Sequence, residues 1–242
     1  MVNRSGANSG LMAKESKLMS KELQGSYNRV AEDYANEFRD EMDKKPFDRK
    51  MLDWLAEKVG GVGVICDMGC GPGQIAGYLH SRGTKVCGVD LSAAMVQQAR
   101  RLNPEIFFQR GDMLDLADIA DDSYGGIAAF YSIVHIPRPK VVQALREFNR
   151  VLRPRGVLLL TFHIGQEIKH LDEWWGKKVS VDFFFFETDE MKNHLITAGF
   201  GLEEVIERDP YPEAVEHQSR RAYIFARKDS SAPEGQVQTG QS

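Results

Sequence analysis

Cysteine is scarce in this chain. Cys66, Cys70 and Cys87 are the only three among 242 residues, too few and too irregularly spaced for a disulfide framework, and no pair has zinc-finger spacing. Cys66 and Cys87 fall inside short apolar runs, where a free thiol behaves as a small hydrophobe. The expectation is a reduced, cytoplasmic protein. Long apolar runs are missing too. None approaches the roughly 20 residues of a membrane span, and the opening "MVNRSGANSG" lacks the apolar centre of a signal peptide. Positive charge is not in surplus: the formal net charge of −4 offers no basic field to nucleic acid or an anionic membrane. There is no G-x-x-x-x-G-K-[ST] phosphate loop, and no His/Cys/Asp cluster has metal-ligand spacing, so no metal is expected. What remains is an ordinary globular balance, 42% apolar and 27% charged, which suffices for a substantial core.

Composition divides the chain. Residues 1–14 and 229–242 are polar or poor in apolar groups and are expected to be disordered. Residues 15–60 read as a helical cap and 61–228 as the core domain. In the cap, Tyr27, Val30, Ala31, Tyr34 and Phe38 share one face at helical spacing. A second helix is expected at about Pro46–Val59. Strands and helices then alternate. A strand from Gly63 to Met68 leads to a helix over about Gln74–His80. "KVCGVD" ends at Asp90, and Ser92 is placed to cap a helix whose inner stripe is Met95, Ala99 and Leu102. "IFFQR" and "GIAAF" are the third and fourth strands. A helix with Val141, Leu145, Phe148 and Leu152 inward is stopped by Pro154 and Gly156, and "VLLLTFH" follows. The helix Thr188–Ala198 ends at Gly199, and "LEEVIER" and "AYIFAR" close the core. Nearly all-apolar strands between amphipathic helices imply an open parallel sheet covered on both faces. Ligands of such sheets bind beyond the carboxyl ends of the strands.

Those ends carry the chemistry. The first strand runs into "DMGCGPG", with Asp67 followed by Gly69, Gly71 and Gly73. Glycine admits positive φ and close approach of a ligand to the main chain, and the helix behind it begins with unpaired N–H groups. Asp90 ends the second strand about 20 residues beyond that turn, where an acceptor-only carboxylate suits the two hydroxyls of a ribose. After the third strand, Asp112 can accept from an adenine amino group while the Met113 N–H donates to a ring nitrogen. Leu91, Met95 and Leu114 can sandwich the ring or simply pack in the core. The glycine turn holds no cation, so a di- or triphosphate is poorly served there. An adenosine joined to a cationic amino acid fits better, with Asp67 holding the amino end directly or through water.

At this point the chain resembles the class I S-adenosylmethionine-dependent methyltransferases of the small-molecule type, over roughly residues 27–227. "DMGCGPG" resembles the cofactor loop, "GVDLSAAM" the ribose-binding strand end and "GDMLDL" the adenine turn. "FYSIVHI" followed by "REFNRVLRPRGVLLLT" is similar to the fourth and fifth strands with their linking helix. The resemblance implies a Rossmann-like, doubly wound seven-stranded sheet, mostly parallel with the last strand antiparallel and helices on both faces. It implies that S-adenosylmethionine is the cofactor and S-adenosylhomocysteine the product. Gly69, Cys70 and Gly71 in the loop, Phe130 at the end of the fourth strand, and Tyr27 and Tyr34 on the leading helix become cofactor contacts. The two tyrosines equally fit a stripe packed on the core. The pattern breaks at Gly125, where an aspartate is usual, and at Arg138, where an acidic residue is common. The insertion at about 164–187 is expected to help form the acceptor pocket.

Transfer of a methyl group from a sulfonium needs chiefly alignment, which can supply about 7–11 kcal/mol, and a base where the nucleophile must lose a proton. His135, just after the fourth strand, is the candidate base or a structural histidine, and Tyr131 and Ser132 are candidates for orienting the acceptor. Trp174, Trp175 and Phe183–Phe186 make either an aromatic wall suited to an apolar or aromatic small molecule or a strand buried on both faces. Two rivals remain open. Gly71, Gly73 and Ala76 fit G-x-G-x-x-A of an NAD(P)-dependent oxidoreductase, although Pro72 and Asp67 do not favour it. A non-catalytic S-adenosylmethionine-binding protein would carry the same loop.

Overall fold

The computed structural model describes residues 5–61 and 63–229. Among the elements that hold the site, β1 (Ile65–Met68), β2 (Val86–Asp90) and β3 (Phe107–Arg110) are laid side by side towards one edge of the sheet, and β4 (Tyr124–Phe130) and β5 (Leu152–His163) lie on the other side of β1, all five parallel. β1 pairs in parallel with both β2 and β4, which makes the β1/β4 junction the switch point of the sheet. Later in the chain come β8 (Phe200–Arg208) and β9 (Arg221–Lys228). The seven-stranded order is β3-β2-β1-β4-β5-β9-β8, with β9 antiparallel to both neighbours.

Alternation along the central strands sorts the core into two layers. Leu158, Leu160 and Ile224 pack beneath α6 (Arg138–Val151) and α7 (Thr188–Thr197), on Leu145, Phe148, Met191 and Leu195. Leu159, Tyr223 and Phe225 face the opposite layer, where α3 (Pro46–Val59) and α4 (Gln74–Ser81) contribute Met51, Leu52, Leu55 and Leu79. Fully burying one such side chain is worth about 1.5–3 kcal/mol, so the layers dominate the fold's stability. α5 (Ala93–Leu102) is capped as expected, Ser92 Oγ accepting from the Met95 N–H at 3.1 Å. Its inner stripe is Met95, Val96 and Ala99. Leu102 is exposed, because the helix ends there and the face has rotated outward. Gly199 adopts φ +86° just beyond α7 and ends it. At the first departure from the family pattern, a Cβ on Gly125 would lie 2.9 Å from the Gly63 Cα, so two backbones meet where an aspartate would not fit.

The leading helix α1 spans Ser5–Glu37, so the chain is helical over residues 5–14, where disorder is the expectation from composition. Of the expected loose tail, only Asp229 lies within the described residues. α2 (Glu41–Lys44) is a single turn before α3. The insertion is a two-stranded hairpin, β6 (Ile168–Trp174) with β7 (Lys177–Phe184). Its turn residues Trp175 and Gly176 both have positive φ, the geometry of tight hairpin turns. Ser26 Oγ accepts from the Ser180 N–H and donates to its carbonyl, and Val30 packs on Val179 and Val181. α1 and the hairpin thus form one roof over the strand ends. Among the described residues no helix is long and apolar enough to cross a membrane.

Candidate active site

A cavity of about 520 Å³ lies under that roof, at the carboxyl ends of β1, β2, β3 and β4. Its first wall is the glycine loop. Gly69 and Cys70 donate to the Val89 carbonyl at 2.7 and 3.0 Å, which turns the chain sharply at the end of β1. Gly69 has φ +77°, and a Cβ there would stand 2.4 Å from Ser132 Cβ. At Gly71 (φ +51°), by contrast, the nearest atoms to an added Cβ are 3.9–4.0 Å away, on Gln74 and Tyr34. The loop is therefore closed on its β4 side and open towards the cavity.

Asp90 closes the loop from β2. Its Oδ2 accepts from the Gly71 N–H and its Oδ1 from the Ser92 N–H, both at 2.8 Å. Each oxygen keeps a second lone pair for a ligand hydroxyl. Burial raises the Asp90 carboxyl to about 6 against the opposing pull of those two N–H groups. Asp112 Oδ1 accepts from the Leu114 N–H at 2.9 Å, fixing the turn after β3. Leu91, Met95, Met113 and Leu114 all line the cavity beside it, so the apolar side chains expected around an adenine do converge. So do Tyr27, Tyr34, Phe130, Tyr131 and His135.

Asp67 is the exception. It is 1% exposed, does not line the cavity, and accepts from the Ala76 N–H at 3.1 Å behind the loop. Burial pushes its carboxyl up to about 8. It anchors the loop to α4 and is not placed to hold the amino end of a ligand directly. The strand points alternate side chains to opposite faces, so a residue can end a strand at the site and still face away from it.

His135 sits on a short 3-10 turn, Ile133–His135, after β4. Its Nδ1 lies 3.0 Å from the Asp182 carbonyl, which only accepts, so Nδ1 carries the proton and Nε2 is free to accept. The partner of Nε2 is the Tyr27 hydroxyl at 2.8 Å. Burial lowers the imidazole to about 4, so the ring is neutral at pH 7. Phe183 and Tyr27 pack edge-on against it, and Trp174 packs on Tyr27 and Tyr34. The aromatic run is thereby split: Trp174, Phe183 and Phe184 line the cavity, Phe184 reaching into the core as well, whereas Phe186 is buried in the core and Phe185 stacks on His163. Arg138, the second departure from the family pattern, donates to the Phe185 and Gln166 carbonyls and fastens the insertion to α6.

The far end of the cavity was not legible in the sequence. Lys45, Asp48, Glu216 and Arg221 line it, all buried and all charged types. Arg208 joins them behind, donating to both Glu216 oxygens, to Asp48 and, through Nε, to the Tyr223 hydroxyl. These residues come from α3, β8, β9 and the loop between the last two strands. No local pattern marks them; the nearest signal is the doublet Arg220-Arg221 opening an otherwise apolar strand. Asn28 is a second unforeseen residue. Its Oδ1 accepts from Ser92 Oγ and the Ala94 N–H, pinning α1 to the start of α5.

The site fits an adenosyl donor on its own geometry. Two buried wall atoms, Ser132 Oγ and Gln74 Oε1, lack a partner among the described residues, and the Asp90 lone pairs and the open face of Gly71 point to a polar ligand. Among the described residues no group of three or more His, Cys, Asp or Glu side chains could hold a metal ion.

Residues 65–156 match a family described as "Methyltransferase domain". A Bacillus subtilis relative is 25% identical over 73% of this chain and 69% of its own length. A ubiquinone biosynthesis O-methyltransferase of Alkalilimnicola ehrlichii is 28% identical over 46% of each chain. An S-adenosyl-L-methionine-dependent Diels-Alderase of Talaromyces variabilis is 34% identical over 45% of this chain and 38% of that one. The chain thus spans less than half of the last two relatives. In fold, it is similar to a Burkholderia thailandensis 1,6-didemethyltoxoflavin-N1-methyltransferase solved with bound 1,6-didemethyltoxoflavin and S-adenosylhomocysteine. That likeness has a TM-score of 0.67 at 19% identity and covers 89% of this chain and 90% of that one.

Proposed function

We propose that this chain is a class I S-adenosylmethionine-dependent methyltransferase that transfers a methyl group from S-adenosylmethionine to a small molecule held in the same cavity. The observation that carries this reading is the position of His135: its acceptor nitrogen Nε2, engaged by the Tyr27 hydroxyl, lies in the same cavity as the glycine loop and Asp90. The nicotinamide reading of Gly71, Gly73 and Ala76 is set aside, because the methyltransferase-domain match over residues 65–156 accounts for the same glycines.

In this reading Asp90 takes the ribose hydroxyls, and the main chain of Gly69, Cys70 and Gly71 faces the amino-acid portion. Asp112 and the Met113 N–H hold the adenine edge between Leu91, Met95 and Leu114. Tyr27, Tyr34 and Phe130 cover the donor, and Asp67 positions the loop from behind. When bound, the donor supplies an already activated methyl group. The protein's part is to exclude water, align the acceptor and receive a proton.

His135 receives that proton at Nε2. In the structure Tyr27 occupies Nε2, so an acceptor O–H or N–H must replace the tyrosine hydroxyl there. The imidazole is a weak base because it is buried. The acceptor becomes far more acidic as it gains the methyl group, so proton transfer is favourable late in the step. Tyr131 orients the acceptor from the other side.

A second reading comes from the Diels-Alderase relative, in which the same cavity would serve chemistry without methyl transfer. One experiment separates the readings. Calorimetry with S-adenosylhomocysteine comes first, then incubation with methyl-labelled donor and fractionated small-molecule extracts. Binding of the product with label appearing in a small molecule is the expected result. Binding without transfer favours the second reading, and absence of binding ends both.

A further inference from the structure

We propose that the far end of the cavity, where Lys45 and Arg221 flank the ring of Tyr131, binds a carboxylate group of the acceptor. This deepens the methyltransferase reading and rests on it. The Lys45 ammonium is 5.7 Å and the Arg221 guanidinium 5.6 Å from the centre of the Tyr131 ring. Lys45 is 6% exposed and Arg221 2%, so neither charge is screened by bulk water. Tyr131 itself is held at φ +49°, a strained conformation for an aromatic residue and one that concentrates at working sites. Its N–H donates to Thr161 Oγ1 at 2.9 Å, and its hydroxyl meets that of Tyr223 at 2.9 Å, so the ring cannot drift.

One cation is short of a partner at one nitrogen: Arg221 donates through Nη1 to the Ser219 carbonyl and hydroxyl, but its Nε is unpaired. Glu216 is shared by three of them, at 2.6 Å from Arg208, 3.1 Å from Arg221 and 3.6 Å from Lys45. Arg208 takes both carboxylate oxygens in bonding geometry. Arg221 Nε, though near Glu216, is not aligned with it and has no hydrogen-bond partner. A buried guanidinium N–H left this way carries a desolvation cost that an incoming anion would relieve. Lys45 has Glu41 at 2.6 Å on its other side. Asp48 is buried beneath the cluster, where burial raises its carboxyl and Tyr223 and Arg208 bond to it. At the neighbouring His163, Arg221, His217 and Lys45 add to burial in lowering the imidazole to about 3, against a smaller opposing pull from Glu216. Glu216 and Asp48 stand close enough to repel a second negative charge, so a monoanionic carboxylate fits better than a phosphate dianion. The rings of Tyr131 and His163 are in tilted contact, their centres 5.3 Å apart, and give this wall an aromatic surface that suits an acceptor whose carboxylate is joined to a planar skeleton.

The test uses the full chain and three probes of one shape: benzoate, benzamide and phenyl phosphate. Saturation with S-adenosylhomocysteine is measured first, and failure there refutes the methyltransferase reading itself. With the product bound, benzoate is expected to bind about tenfold or more tighter than benzamide, the scale of one charge-assisted hydrogen bond, and tighter than phenyl phosphate. Arg221→Met and Lys45→Met should each remove most of the benzoate preference while benzamide is unaffected. Should Arg221→Met fail to fold, Lys45→Met and the three-probe comparison on the unaltered chain decide. Absent benzoate binding, equal binding of benzoate and benzamide, tighter binding of phenyl phosphate, or a benzoate preference that survives Lys45→Met overturns the proposal.

Discussion

The two ends of the cavity are built on opposite principles. At the glycine-loop end, carboxylates accept from main-chain N–H groups close in the chain: Asp90 from Ser92 and Gly71, Asp112 from Leu114. The glycine turn itself carries no basic residue, and the Asp90 carboxylate suits a ligand with hydroxyls and a positive charge. At the far end, side chains bond to side chains across the whole length of the molecule. Tyr223 and Asp48 meet although 175 residues apart, and Arg208 and Asp48 although 160 apart. There three cations gather around Glu216, and the wall suits an anion. One end is shaped by a local backbone path, the other by long-range ion pairing, and His135 stands in the same cavity between roof and loop. A cavity polarised in this way would orient a cationic donor and an anionic acceptor head to tail before any reaction occurs.

The comparison can be tested hardest at His135. His135→Ala is expected to lower turnover about 10²–10⁴-fold, with S-adenosylhomocysteine affinity little changed. Steady-state kinetics at saturating donor checks this, and an unaltered rate would remove the base from the scheme. Next in size is the far end. Glu216→Ala leaves Arg208, Arg221 and Lys45 without their common partner and should cost about 3–5 kcal/mol of stability in urea unfolding. A loss below about 1 kcal/mol would mean that the cations are already satisfied elsewhere. At the loop end, Asp90→Ala should weaken S-adenosylhomocysteine binding by about 1.5–3 kcal/mol with circular dichroism unchanged. Affinity equal to that of the unaltered chain would place the ribose somewhere else.

The smallest effect is a pH slope with two signs. Burial lifts Asp90 to about 6 in the folded chain, against about 3.9 for an unfolded aspartate. The folded state therefore holds its proton longer. The associated stability is fully present below about pH 4 and is lost as pH rises through 6. Asp67, lifted to about 8, adds in the same direction over a wider window. Binding of S-adenosylhomocysteine should run the other way, strengthening from about pH 5 to 7 as Asp90 ionises and can accept both ribose hydroxyls. Urea unfolding across this range should show a flatter profile for Asp90→Asn; matching slopes would assign the titration to another group.

Much of the molecule could be read from its residues. The strand ends at Met68, Asp90 and Arg110, the Ser92 cap and the Gly199 stop lie where the sequence puts them, because each rests on a short pattern with a local cause. Errors arose where a local rule met its limit. Leu102 continues a helical stripe, but the helix has ended. Residues 5–14 are poor in apolar groups, yet α1 runs through them. Asp67 differs: one residue before the strand end, it gives its carboxylate to the Ala76 N–H of α4, so of its two expected roles only the water-mediated one stays open. Phe183 to Phe186 fitted both a wall and a buried strand; Phe183 and Phe184, at the end of β7, reach the cavity, while Phe185 and Phe186 are buried beyond it.

By itself, the sequence determined the sheet, its switch point and the loop with its acids, since period-two burial and glycine-dependent turns act over a few residues and need no distant partner. Only the tertiary structure decided that Tyr27 would meet His135, that Asn28 would pin the roof, and that Lys45, Asp48, Glu216 and Arg221 would share one chamber. The reason is physical: a charged side chain carries no local signature of its partner, and buried charges acquire partners only when the core has brought remote segments within reach.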